Sequence, residues 1–180
     1  MKRILFLLTM ILIGVNVSFA SNKKEKKDAE NMALYEKAVK AVQEKKFVVK
    51  FHTSDESSKR RRLDEQSNFV LIDEKSTMYQ YDDGRRWYGH NHGGIPNYSS
   101  PDLFEGEVTD VNWEIDNKGN VTCSVSTSYE EMRYNNADMK ITLKHGSNKC
   151  KVIMKKEGCP KLLYYGTIHP IGETEIRKAI

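Results

Sequence analysis

The stretch from Asp82 to Gly106 carries the densest chemistry in the chain. Within it, Arg86, Trp87, Tyr88, His90 and His92 bring together a planar cation, two stacking faces and two imidazoles that titrate near neutral pH and can ligate a metal. On one aperiodic connection, such residues read as candidate ligand-binding groups, because links longer than about 15 residues are uncommon in compact domains and are usually functional. The same stretch also fits an architectural account. Gly84, Gly89, Gly93 and Gly94 permit tight bends, and Trp87 with Tyr88 could plug one end of a sheet.

His90 and His92 point to opposite sides of an extended segment, so a shared ion requires a turn and a further ligand such as Asp82 or Asp83. Nothing in the sequence fixes that ligand, and no metal or cofactor is assigned. A metal-assisted hydrolase centred on His90 and His92 stands as the alternative to a binding role. No Gly-x-Ser-x-Gly elbow, glycine-rich phosphate loop or His-Glu-x-x-His pair occurs, and the adjacent Glu130 and Glu131 diverge from one another. His52, His145 and His169 read as solvated or structural. No catalytic residue is assigned, and the reading favours a protein that is not an enzyme.

The elements that must hold this loop follow from periodicity. From Asp28, Leu34, Ala38, Ala41 and Val42 recur at helical spacing, with Tyr35 and Val39 beside them, which predicts an amphipathic helix over 28–45. Phe47, Val49 and Phe51 then alternate with polar residues, and the period changes from helix to strand. Further strands are predicted over 68–73, 77–81, 107–115, 121–128, 138–145, 150–155 and 162–169. Short turns such as Asp116-Asn117-Lys118-Gly119-Asn120 make neighbouring strands antiparallel. The fold class is α+β: an N-terminal amphipathic helix, then a strongly curved antiparallel meander of about eight strands, open or closed like a barrel.

The chain has 180 residues, 38% of them hydrophobic and 30% charged, which suits one globular domain and excludes a wholly disordered chain. Lys2 and Arg3, the apolar run Ile4 to Val15 and the small residues of Ser18-Phe19-Ala20 read as a signal peptide over 1–20. A mobile polar leader over 21–27 and a single domain over 28–180 follow. No later apolar stretch could cross a bilayer, so the processed protein is expected to be exported, periplasmic or extracellular, and not integral to a membrane. Without Lys2 and Arg3, 27 basic residues face 25 acidic ones, too small an excess to predict a nucleic-acid partner. The run Lys59-Arg60-Arg61-Arg62 reads as solvated loop charge.

Three cysteines, Cys123, Cys150 and Cys159, leave at least one unpaired in a monomer. In a meander a whole strand separates Cys123 from Cys150, beyond disulfide reach, and a simple hairpin sets Cys150 and Cys159 out of register.

Four segments carry a resemblance. Asn68-Phe69-Val70, Gly89-His90-Asn91-His92-Gly93-Gly94-Ile95, Asn117-Lys118-Gly119-Asn120-Val121 and Tyr165-Gly166-Thr167-Ile168-His169-Pro170 fall in the order of the domain of unknown function 4251 family, which the chain resembles over nearly its whole length after residue 27. The resemblance implies a small exported bacterial protein, often lipid-anchored, with no established activity. The chain departs from the family in lacking a lipid-acceptor cysteine near residue 20 and in a longer link, Pro96 to Phe104. The combined reading is an exported cell-envelope module, a binding or structural and interaction protein. Its curved sheet and the Asp82 to Gly106 loop would take a small ligand, a glycan or an envelope protein.

Overall fold

The computed structural model describes residues 2–56, 59–82, 102–129, 136–156 and 160–179, with backbone alone for 2–22, 56 and 59. One helix, α1 (Lys2–Gln43), precedes nine strands: β1 (Lys46–Glu56), β2 (Lys59–Arg62), β3 (Phe69–Asp73), β4 (Ser76–Tyr81), β5 (Asp102–Ile115), β6 (Val121–Tyr129), β7 (Asn136–Leu143), β8 (Lys149–Lys156) and β9 (Leu162–Pro170). All pairings are antiparallel, and β1 pairs with β9 to close β1 and β3 to β9 into an eight-stranded barrel, with β2 added alongside the far half of β1. Closure removes the open edges that an eight-stranded meander would otherwise present.

Alternation explains the strands. In β6, Val121, Cys123, Val125, Thr127 and Tyr129 are buried while the residues between them are not, and β7 and β8 repeat the pattern. The inward set, with Phe47, Val49, Phe51, Ile72, Tyr79, Met139, Ile141, Val152, Met154, Tyr164 and Ile168, forms one contiguous core. Ala38, Ala41 and Val42 of α1 join that core, and the Tyr35 hydroxyl donates to the Gly119 carbonyl while its ring meets His145 edge-on. The helix thus crosses the end of the barrel marked by the β5–β6 and β7–β8 turns.

Several expectations are corrected. The helix begins before Asp28, at Lys2, and stops at Gln43, where Lys45 takes a positive φ. Leu34 is exposed and Tyr35 takes the inward place. Lys59 to Arg62 is a strand, because the overhang of β1 offers unpaired backbone that a charged segment can satisfy as well as an apolar one. β5 starts at Asp102, paired with Tyr81, so both the loop expected to reach Gly106 and the long link through Phe104 end at residue 101. Cys123 and Cys150 are buried and free, with β7 between the strands that carry them, and burial pushes each thiol up to about 12. Cys159 lies outside the described residues.

Buried amides lock the outside of the barrel. Asn68 donates to the Asp64 carbonyl at 2.9 Å and accepts from the Asp82 N–H at 2.8 Å. Gln80 donates to the carbonyls of Ser67 and Arg177 and accepts from the Ala179 N–H, so the segment after β9 is strapped over β1, β3 and β4. Among the described residues, no helix is long and apolar enough to cross a membrane.

Candidate functional site

The barrel end away from the β5–β6 turn is built from aromatic rings on four strands. Phe51 of β1 stacks on Tyr164 of β9 with centroids 4.4 Å apart and lies 6.5 Å from Tyr79 of β4. Tyr79 stacks at 6.1 Å on Phe104 of β5, and Tyr81 meets Tyr164 edge-on at 6.0 Å. Lys156 continues the inward parity of Cys150, Val152 and Met154, and its ammonium sits 4.7 Å from the Tyr79 ring centre and 5.7 Å from that of Phe104. A cation on the inside of a barrel strand is unusual, and these ring faces contribute to holding it there.

Two polar features complete this end. The hydroxyls of Tyr79 and Tyr164 bond to each other at 3.1 Å, and burial, then the neighbouring Tyr164, hold the Tyr79 phenol well above its ordinary range, so it remains protonated. Ser54, paired with Tyr164 across the β1–β9 ladder, has a buried Oγ without a hydrogen-bond partner among the described residues. An orphaned buried hydroxyl is uncommon enough to require an explanation, and a bound group that supplies its missing partner is one. Tyr81 and Asp102, which flank the long connection, are paired at this same end.

No family model matches the chain, and no curated protein does. Among solved structures, a DUF4251 family protein from Bacteroides eggerthii superposes with a TM-score of 0.64 over 82% of this chain and 94% of its own, at 21% sequence identity. The fold is that of a DUF4251 family protein.

Within this DUF4251 fold the resemblance segments that are described do architectural work. Asn68 ties the turn before β3 to the exit of β4. Gly119, at φ 78°, closes the β5–β6 turn, where the Asp116 carboxylate accepts from the N–H groups of Lys118 and Asn120. Gly166 lies where β9 crosses β1 too closely for any side chain. The residues singled out for binding, Arg86, Trp87, Tyr88, His90 and His92, lie outside the described residues. Among the described residues, no group of three or more His, Cys, Asp and Glu is placed to hold a metal ion. Sequence patterning does not single out the ring cluster and Lys156 as a site. The signal was the parity of β8, which directs Lys156 inward.

On the outer face, β1 and β9 are joined by a relay. Glu65 lies 2.7 Å from His52 Nδ1, His52 Nε2 lies 3.1 Å from the Thr167 hydroxyl, and His169 Nε2 lies 2.9 Å from the same oxygen. One set of tautomers satisfies all three contacts: Nδ1–H of His52 donates to Glu65, Thr167 donates to His52, and Nε2–H of His169 donates to Thr167. Carboxylate, imidazole and hydroxyl stand in the order of a nucleophilic triad, but the oxygen that would attack already accepts from His169. The relay is a tie between strands.

Burial, then the nearby Lys50 and His52, hold the His169 imidazole below its ordinary 6.5. The unfolded chain therefore takes up this proton more readily than the folded one, so the contribution is complete above about pH 6.5 and is lost as pH falls through the lower folded value. The urea midpoint of the wild type is expected to drop between about pH 7 and pH 5 by more than that of His169→Gln. Equal drops would remove His169 from the account.

Proposed function

We propose that the protein is an exported module of the bacterial cell envelope that binds a partner at the aromatic end of its barrel. The 1–20 segment has the composition of a cleaved signal, which supports export. The observation that carries the binding reading is the inward ammonium of Lys156 against the faces of Tyr79 and Phe104, beside the unpartnered hydroxyl of Ser54. Rings, a cation and a free hydroxyl suit a molecule with a ring or apolar face and an acidic group, such as an acidic glycan. The ligand would seat at the mouth, beside Tyr81 and Asp102, which flank the connection that carries Trp87 and Tyr88.

The chain has two tryptophans, so Trp113→Phe leaves Trp87 as the single indole reporter. Titration of this variant with carboxylated and phosphorylated saccharides and with fatty acids is expected to give a saturable fluorescence change. Lys156→Met should weaken binding by about tenfold or more, the scale of one charge-assisted contact. An unchanged affinity in Lys156→Met, or no response to any of these compounds, would remove the site.

A further inference from the structure

The barrel sorts charge by strand. Between Asp102 and Asp116 the chain carries six acidic residues and no basic one, and Glu105, Glu107, Asp110 and Glu114 of β5 are exposed. β8 is the reverse, with Lys149, Lys151 and Lys155 exposed and no acid along the strand. Register brings Lys140 of β7 opposite Ile153 and Lys151 opposite Tyr165, while Arg60 of β2 lies 4.7 Å over the Tyr165 ring. Lys140, Lys149, Lys151 and Lys155 make no ion pair among the described residues, where the acidic neighbours on this stretch of the outer surface are Asp138, opposite Lys155, with Asp55 and Glu65. A groove of about 390 Å³ runs between the lysines, where Lys140, Lys155 and Lys161 outnumber the one acid, Asp138, beside Ser126 and Ile153.

We propose that this basic face, β7, β8, β9 and β2, docks on a bilayer leaflet of phosphate-bearing anionic lipids. A near-neutral protein with separated charge is oriented by the field of such a surface, basic face inward and β5 outward. The lysines are flexible point charges that suit mobile headgroups, and the half-buried Ile153 and Leu163 between them offer apolar contact at the interface. Single-stranded nucleic acid fits less well, since the ring of Tyr165 is already covered by Arg60 and no other exposed ring lies on these strands. This face lies on the outside of the barrel and is independent of the binding end described above.

The test is sedimentation of the full chain with vesicles of phosphatidylcholine alone and with about one third phosphatidylglycerol. The quantity read is the ratio of the two partition constants, in which any contribution of the apolar first segment common to both cancels. The ratio is expected to exceed about tenfold at low salt, to collapse as salt is raised, and to fall by about tenfold or more in Lys140→Glu/Lys151→Glu/Lys155→Glu. Glu105→Gln/Glu107→Gln, on the opposite face, should leave it unchanged. Circular dichroism checks the fold, and Lys151→Gln/Lys155→Gln gives a milder loss if the triple variant does not fold. A ratio near one, or one indifferent to the lysine substitutions, overturns the proposal. So does release from vesicles by micromolar inorganic phosphate, which assigns the groove to a soluble anion, or tighter retention by single-stranded DNA than by anionic vesicles at the same salt.

Discussion

Gly166→Ala is expected to be strongly destabilising. A Cβ at this position would fall within the contact radius of the Lys50 carbonyl oxygen and close to Phe51 Cα, both backbone atoms that no rotamer change can move. The collision lies at the seam where β9 pairs with β1, beside the register shift between Phe51 and Thr53 that closes the barrel. Overpacking of side chains costs about 1–3 kcal/mol, and a clash with backbone belongs at or above the upper end. The urea midpoint should fall by the equivalent of about 3 kcal/mol or more with little change in slope, or the variant should fail to accumulate folded. Thr167→Val, one residue along, removes a half-exposed hydroxyl and should cost no more than about 1.5 kcal/mol. A Gly166→Ala protein as stable as the wild type would mean that the two strands are not in this contact.

Phe51→Ala should cost about 3–5 kcal/mol, the range for truncating a fully buried phenylalanine. Phe51 is 0% exposed, stacks on Tyr164 and lies beside Tyr79, so its loss leaves a void under the Tyr79–Tyr164 hydroxyl pair. Phe51→Leu retains most of the volume and should cost less than half as much. The pair of midpoints is the measurement, and equal small effects would show that the ring cluster is not packed as a unit. Because the cluster floors the proposed binding end, Phe51→Ala should also weaken ligand binding at temperatures where the variant remains folded.

The strands were legible because the pleat is local: side chains two apart share a face whatever lies across the sheet. That is why the alternation of Val121, Cys123 and Val125, or of Cys150, Val152 and Met154, placed β6 and β8 within a residue or two of their observed ends. The same pleat and meander order set a whole strand, β7, between Cys123 and Cys150. β2 was missed for the complementary reason, since Lys-Arg-Arg-Arg has no apolar parity and becomes a strand only because β1 overhangs its other partner. The start of β5 was hidden by its composition, and it is set by pairing with Tyr81 and Gln80 rather than by its own residues.

By itself the sequence determined the class of the fold, the number of strands to within one, and which residues along each strand face inward, because hydrophobic burial and the two-residue repeat act over a few neighbours. Tertiary structure alone decided what those residues meet. Phe51, Tyr79, Phe104, Lys156 and Tyr164 converge, and the lysines of β7 and β8 separate from the acids of β5, only once register and the β1–β9 seam are fixed. Both depend on pairings between distant parts of the chain, which no local pattern of side chains contains.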